Sequence, residues 1–124
     1  MEIVFKMHSQ ACEVTICLYD YYSLSTPSER FMCSVEIGEQ NYRRVIPAVE
    51  LQDIFQLIRN IPLESTDAGI IKLDGVSYEL HLSAEGTSAS YKWWQGPGKG
   101  WNDLQKIADR FKALGTAISG RYLL

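Results

Sequence analysis

Apolar and polar residues alternate along the first third of the chain. The segments EIVFKMH (2–8), EVTICLY (13–19) and FMCSVEI (31–37) place apolar side chains at every second position. Because successive side chains of a β-strand point to opposite faces, the alternation predicts three strands that each bury one face. The residues GEQN (38–41) predict a turn, and YRRVI (42–46) predicts a fourth strand that returns beside the third.

The apolar period changes from two to helical spacing at Pro47. Apolar side chains then form one stripe that predicts an amphipathic helix starting at Pro47 and stopping near Asn60 and Pro62. A second stripe predicts another helix, which begins near residue 101 and for which Gly115 is the natural C-terminal cap. The two stripes consist of Leu51, Ile54, Phe55 and Ile58, and of Trp101, Leu104, Ala108 and Phe111.

The second half of the chain predicts three more strands. In IIKLDGVSYEL (70–80), Asp74 and Gly75 separate two apolar-patterned runs, which is a strong hairpin signal. The residues AEGTSA (84–89) predict a further turn, into SYKWW (90–94). Both halves then read as a hairpin followed by an amphipathic helix. This parallel indicates either an ancient duplication or two independent uses of one β-β-α unit.

These elements predict a single α+β domain over residues 1–124. Its antiparallel sheet has roughly seven strands, and two amphipathic helices cover one face. The other face is expected to carry polar side chains together with one tryptophan. Its predicted members are Glu13, Thr15, Tyr19, Glu36, Glu79, His81, Lys92 and Trp94.

The three tryptophans lie within YKWWQGPGKGW (91–101). Alternation predicts that Trp93 enters the core beside Tyr78 and Leu80, and Trp101 heads the second helical stripe. Trp94 is left on the outer face. It is either an anchor for a binding partner or is covered by the GPGKG loop.

The net charge and the cysteine content argue against several classes of function. The net charge of −3 predicts neither a nucleic-acid nor a membrane partner. The three cysteines are an odd number and form no C-x-x-C pair, so we expect neither a disulfide framework nor a metal site. The N-terminal residues lack the pattern of a signal peptide, and no segment has transmembrane length. We therefore expect a reduced, cytoplasmic protein without a cofactor.

Catalytic motifs are absent from the sequence. The chain has no G-x-S-x-G or H-E-x-x-H, and GPGKGW lacks the serine or threonine of a phosphate-binding loop. The two histidines, His8 and His81, fall on outward strand positions. Glu79 and His81 share a face, as paired residues on sheets often do without any function. An enzyme using that pair is one hypothesis, and a small-ligand site formed by Glu79, His81, Lys92 and Trp94 is another.

The segment YDYYSLSTPSER (19–30) is the longest predicted connection between strands. Long loops often carry function, and tyrosines beside acids suit a contact with a basic protein. The alternative is that the tyrosines pack over the edge of the sheet. The residues concerned are Tyr19, Asp20, Tyr21, Tyr22 and Glu29.

The run LDGVSYELHLSAEGTSASYKWWQGPGKGWNDLQKIADRF resembles a recurring type of small bacterial protein, often encoded beside secreted toxins. Some of these are similar to the cytoplasmic immunity proteins of contact-dependent or type VI secretion systems. The likeness is one of pattern and covers residues 73–111. It implies a non-catalytic protein that binds a toxin and occludes its active site, for example a nuclease with a basic groove. The expected contacts are Glu13, Tyr19, Asp20, Tyr21, Tyr22, Glu29, Glu36 and Trp94.

Overall fold

A single antiparallel sheet forms the centre of the computed structural model, which describes residues 2–9, 13–20, 30–60, 76–84, 86–94 and 102–121. Over these residues the sheet has six strands in the order β4-β3-β2-β1-β5-β6. The α+β class and the antiparallel pairing predicted from the sequence are therefore confirmed. The strands are β1 (Glu2–His8), β2 (Glu13–Asp20), β3 (Arg30–Ile37), β4 (Gln40–Pro47), β5 (Ser77–Ala84) and β6 (Thr87–Trp94).

Tight turns join the strands of the two outer hairpins. Gly38 lies between β3 and β4 with φ of 59°, and Gly86 lies between β5 and β6 with φ of 82°. Both values fall in the left-handed region, which glycine enters without the steric cost that a Cβ atom would impose. Each glycine therefore allows its chain to reverse within about two residues, as hairpin turns require.

The strand order depends on a pairing between residues that are far apart in sequence. β1 lies between β2 and β5, so that Phe5 is opposite Ile16 on one side and Leu80 on the other. Both edges of β5 are occupied, by β1 and by β6. Asp74 and Gly75, where a further hairpin is predicted, lie outside the described residues.

Other expectations fall on residues outside the described ranges. The predicted seventh strand at 70–73, the GPGKG loop and Trp101 all lie there. The described chain does contain two hairpins that are each followed by a helix, at opposite edges of the sheet. A duplication as the origin of this pattern remains a prediction.

The helices differ from the predicted ones at their ends. Pro47 is the last residue of β4, and a short 3-10 turn, Ala48–Leu51, precedes α1 (Gln52–Arg59). The second helix, α2 (Asn102–Ser119), continues through Gly115, which is buried inside it. Gly120, with φ of 70°, follows the last turn, and its N–H donates a hydrogen bond to the Thr116 carbonyl at 2.9 Å. The C-terminal cap is therefore Gly120 and not Gly115.

The core lies between the two helices and one face of the sheet. Alternate strand residues and the helical stripes meet there, as the apolar pattern predicted. Phe5 is at its centre, with its ring stacked 4.9 Å from that of Phe111 and 5.8 Å from that of Tyr78. Trp93 is buried as predicted, 5.4 Å from Tyr78 between ring centroids. The buried helix residues are Leu51, Ile54, Leu104, Ile107, Ala108, Phe111 and Gly115.

The two helices are joined at the surface by an ion pair. The Nε of Arg110 on α2 donates a hydrogen bond to the Asp53 carboxylate on α1. This bond is the main cause of a pKa of Asp53 below its usual range. A carboxyl group with a lowered pKa in the folded state stabilises the fold above its unfolded pKa, and this contribution disappears as the solution becomes acidic.

The substitution Asp53→Asn is expected to lower the free energy of unfolding by at most about 1 kcal/mol at pH 7, because both side chains are substantially exposed. The difference from wild type should shrink as the pH falls below about 4, where the unfolded carboxyl becomes protonated, and vanish below the folded pKa. Denaturant unfolding across pH measures both values. Glu50→Gln, at an exposed acid in the neighbouring 3-10 turn, is the control and should change the free energy of unfolding by no more than about 0.5 kcal/mol. A cost that persists unchanged at acidic pH would contradict a role for the charge.

Neither helix in the described part of the chain has the length and hydropathy needed to span a membrane.

Candidate functional site

One face of the sheet faces away from both helices, and we call it the open face. The registers place on it the even-numbered residues of β1, the odd-numbered residues of β2, β4 and β5, and the even-numbered residues of β3 and β6. No helix or strand among the described residues packs over it. Polar and partly exposed side chains dominate this face, as the alternation predicted. The open face is therefore the candidate surface for a binding site.

Polar side chains of four strands meet at the β1–β5 pairing on the open face. The Oε2 of Glu79 lies 2.5 Å from Nε2 of His8, and its Oε1 lies 3.6 Å from Nε2 of His81 and 3.5 Å from Nζ of Lys92. Glu79 is thus the common partner of two imidazoles and one ammonium group. We call the whole set the His–Glu cluster; it consists of His8, Glu13, Glu79, His81, Ser90 and Lys92.

Two further hydrogen bonds extend the His–Glu cluster. Nδ1 of His8 lies 3.2 Å from Oε1 of Glu13, and Nδ1 of His81 lies 2.9 Å from Oγ of Ser90. Each imidazole therefore bridges the central carboxylate and an outer polar group. Because the described groups already pair with one another, the cluster fixes the positions of its own side chains on the open face.

The central carboxylate has a perturbed proton affinity. Partial burial raises the pKa of the Glu79 carboxyl, but the hydrogen bond and charge of His8, together with Lys92, lower it by more. The net pKa lies below the ordinary value for glutamate. Glu79 therefore stays ionised, and it is suited to hold cationic or donor groups and not to act as a proton donor.

The sequence pairs Glu79 with His81 correctly, but it does not predict the part played by His8. His8 reaches Glu79 because β1 pairs with β5, with Lys6 opposite Glu79 and His8 opposite Ser77. His81 is about one-third exposed and lies on the face of the sheet. Among the described residues there is no group of histidines, cysteines and acids that could hold a metal ion.

A second feature of the open face is apolar and was not anticipated. Neighbouring apolar side chains of β1 to β4 are only partly exposed there. We call them the apolar strip, and exposed charged residues of the same face, such as Glu36 and Arg43, flank it. The apolar strip consists of Val4, Cys17, Tyr19, Met32 and Val45.

The predicted partner-binding residues do not form one compact patch. Glu13 and Glu36 lie near one end of β2 and β3, while Tyr19 lies about 20 Å away at the other end of β2. Asp20 pairs with Phe31 and belongs to the alternate set of positions that faces the helices. Tyr19 nevertheless joins the apolar strip, so that part of the prediction coincides with a surface feature.

Several predicted site residues fall outside what the structure describes. Tyr21, Tyr22 and Glu29 lie in the range 21–29. Trp94 ends β6 opposite Ser77, but its side chain is not among those described. Their roles in binding remain predictions.

The two described cysteines lie on opposite faces of the sheet and are both free thiols. Cys17 belongs to the apolar strip and is paired with Ser34 of β3. Cys33 lies in the core and is paired with Leu18 of β2. Burial raises the pKa of Cys17, and it raises the pKa of Cys33 to about 12. Since the thiolate is the reactive form, neither cysteine is activated as a nucleophile.

The chain matches no known protein family, no curated protein and no solved structure.

Proposed function

We propose that this protein is a non-catalytic binding module that neutralises a protein toxin, and that the apolar strip on its open face is the centre of the contact. The observation that carries the proposal is the arrangement of that face. An apolar centre with tyrosine and methionine and a charged rim is the usual composition of a protein–protein interface. The likeness of residues 73–111 to immunity proteins supplies the class of partner.

The charges of the open face indicate which charge the contact surface of the toxin should carry. The described open face carries acidic and basic side chains in equal numbers, so it does not favour a strongly basic partner. We therefore propose a partner whose contact surface is apolar at its centre and mixed in charge at its rim. The charged residues counted are Glu2, Glu13, Glu36 and Glu79, against Lys6, Arg30, Arg43 and Lys92.

The test begins with the genes adjacent to that of this protein, because the resembling proteins are often encoded beside their toxins. Each neighbouring product is expressed alone and then together with this protein. We expect one product to arrest growth on its own, to be harmless when co-expressed, and to form a stoichiometric complex with this protein. If none of the toxic neighbours is neutralised, the toxin proposal fails.

The substitution Met32→Lys places a charge in the apolar strip and is expected to weaken that complex at least tenfold, about 1.4 kcal/mol of binding free energy. Calorimetric titration of the purified pair measures the change. Val49→Lys is the matched control, since Val49 is 72% exposed in the 3-10 turn, outside the sheet. Circular dichroism checks that both variants fold. Equal affinity of the Met32→Lys variant and the control would place the interface elsewhere.

A second candidate function, the binding of a small polar ligand, is favoured by the convergence of His81 and Lys92 on Glu79. A ligand with a cationic group would compete for the Glu79 carboxylate. Thermal-shift screening of small amines and amino acids tests this function, with Glu79→Gln as the variant that should lose any shift. A hit that stabilises wild type and this variant equally would not act at the cluster.

A further inference from the structure

The two edge strands of the sheet are protected very differently. On β4, exposed Arg43 and Arg44 project to opposite faces, and Pro47 ends the strand. Charges on both faces and proline are the devices by which proteins prevent an edge from pairing with another chain. β4 therefore is a protected edge.

The opposite edge, β6, has little such protection. It pairs with β5 through every residue from Thr87 to Trp94, in continuous register. Ser88, Ala89 and Ser90 are exposed, and Lys92 is the only charged residue in the strand. No described strand lies on the other side of β6. A long edge strand with a single charge is a template for adding another strand.

We infer that β6 pairs antiparallel with β6 of a second copy of this chain, with Ser90 opposite Ser90 on the two-fold axis. The two sheets then join into one continuous sheet. This inference does not depend on the proposed toxin partner, because it uses the edge of the sheet and not the apolar strip.

The faces and the charges restrict the register. Helix-side residues of one copy meet helix-side residues of the other only if the axis passes through a residue and not between two residues. With the axis at Ser90, Lys92 is opposite the neutral Ser88, and the two lysines are about 13 Å apart along the strands. With the axis at Tyr91 that separation falls to about 7 Å, and with the axis at Lys92 the two charges face each other.

The same register also covers a poorly shielded position on the helix side. Ala89 belongs to the helix-side set of β6 together with the buried Tyr91, yet it is exposed. With the axis at Ser90, Tyr91 of the second copy is opposite Ala89. Tyr91 of each copy therefore lies opposite the exposed Ala89 of the other.

The first experiment is disulfide trapping of the purified full-length protein. The Ser90→Cys variant places one thiol directly opposite its copy, so mild oxidation should give a covalent dimer that reducing agent reverses. Ser88→Cys is the matched control, because its two copies are about 13 Å apart along the strands and should not cross-link. Wild type run in parallel accounts for the native cysteines. Cross-linking of both variants to the same extent would overturn the register.

The second experiment measures the oligomeric state by sedimentation and light scattering over a range of concentrations. Wild type is expected to dimerise, and Ser88→Lys should raise the dimer dissociation constant at least tenfold, because each new lysine faces Lys92 of the other copy. Asn41→Lys adds the same charge to the exposed β4 edge and should leave the constant unchanged. Wild type that stays monomeric at its highest soluble concentration overturns the inference, as does a dimer that Ser88→Lys does not weaken.

Discussion

Replacement of Phe111 by alanine is expected to lower the free energy of unfolding by about 3–5 kcal/mol. Phe111 is fully buried on α2, and its ring is nearly parallel to that of Phe5, at 9° and 4.9 Å. The deletion removes the apolar surface that holds α2 on the sheet and leaves a cavity in a cluster that also contains Tyr78 and Trp93. Such a loss is a large fraction of the about 5–15 kcal/mol that stabilises a typical domain.

Denaturant unfolding of wild type and the Phe111→Ala variant measures this loss. Gln56→Ala, on the exposed side of α1, is the control and should change the free energy of unfolding by no more than about 0.5 kcal/mol. Phe111→Leu retains part of the volume and should fall between the two. A cost below about 1 kcal/mol for Phe111→Ala would contradict the packing of α2 through this ring.

The substitution Glu79→Ala is expected to destabilise the protein by about 1–3 kcal/mol at pH 7, since it removes the hydrogen bonds that a partly buried, charged carboxylate accepts. His8, His81 and Lys92 all direct nitrogen atoms at Glu79, whose side chain is only 20% exposed. These bonds join β1, β5 and β6 on the open face. The free energy of unfolding should therefore respond more strongly here than at other acids of that face.

The pH dependence of that loss follows from the lowered pKa of Glu79. A carboxyl whose folded pKa lies below its unfolded one stabilises the fold above the unfolded value, and the contribution is lost as the pH falls through the folded pKa. The difference between wild type and the Glu79→Ala variant should thus shrink below about pH 4. Glu36→Ala, at an exposed acid of the same face, is the control and should cost no more than about 0.5 kcal/mol. Equal costs for both variants would show that the His–Glu cluster adds no stability.

Local patterns predicted the helix stripes well but not the ends of the helices. Leu51, Ile54 and Phe111 are buried as their spacing predicts, because each helical turn repeats its faces. Gly115 was misplaced as a cap. A glycine within an apolar pattern is equally compatible with an interior position of the helix, and here it is buried. Only the extension of α2 to Ser119 shows which of the two roles applies.

The candidate site was predicted only where it depends on the β5–β6 hairpin, which supplies Glu79, His81 and Lys92. Glu79 and His81 lie two residues apart, so the strand period alone places them on one face. His8 joins them from β1, and the apolar strip draws its side chains from four strands. Such neighbours depend on strand order, which no local pattern encodes.

By itself, the sequence determined which side of each strand faces the core, that Trp93 is buried, and that two helices cover the sheet. These properties follow from the period of apolar residues, and that period is a local consequence of backbone geometry. The tertiary structure decided the order β4-β3-β2-β1-β5-β6, and with it the His–Glu cluster, the apolar strip and the identity of the two edges. Pairing β1 with β5 brings together residues more than 60 positions apart. It is selected by the packing of the whole core around Phe5, which is a property of all the elements together.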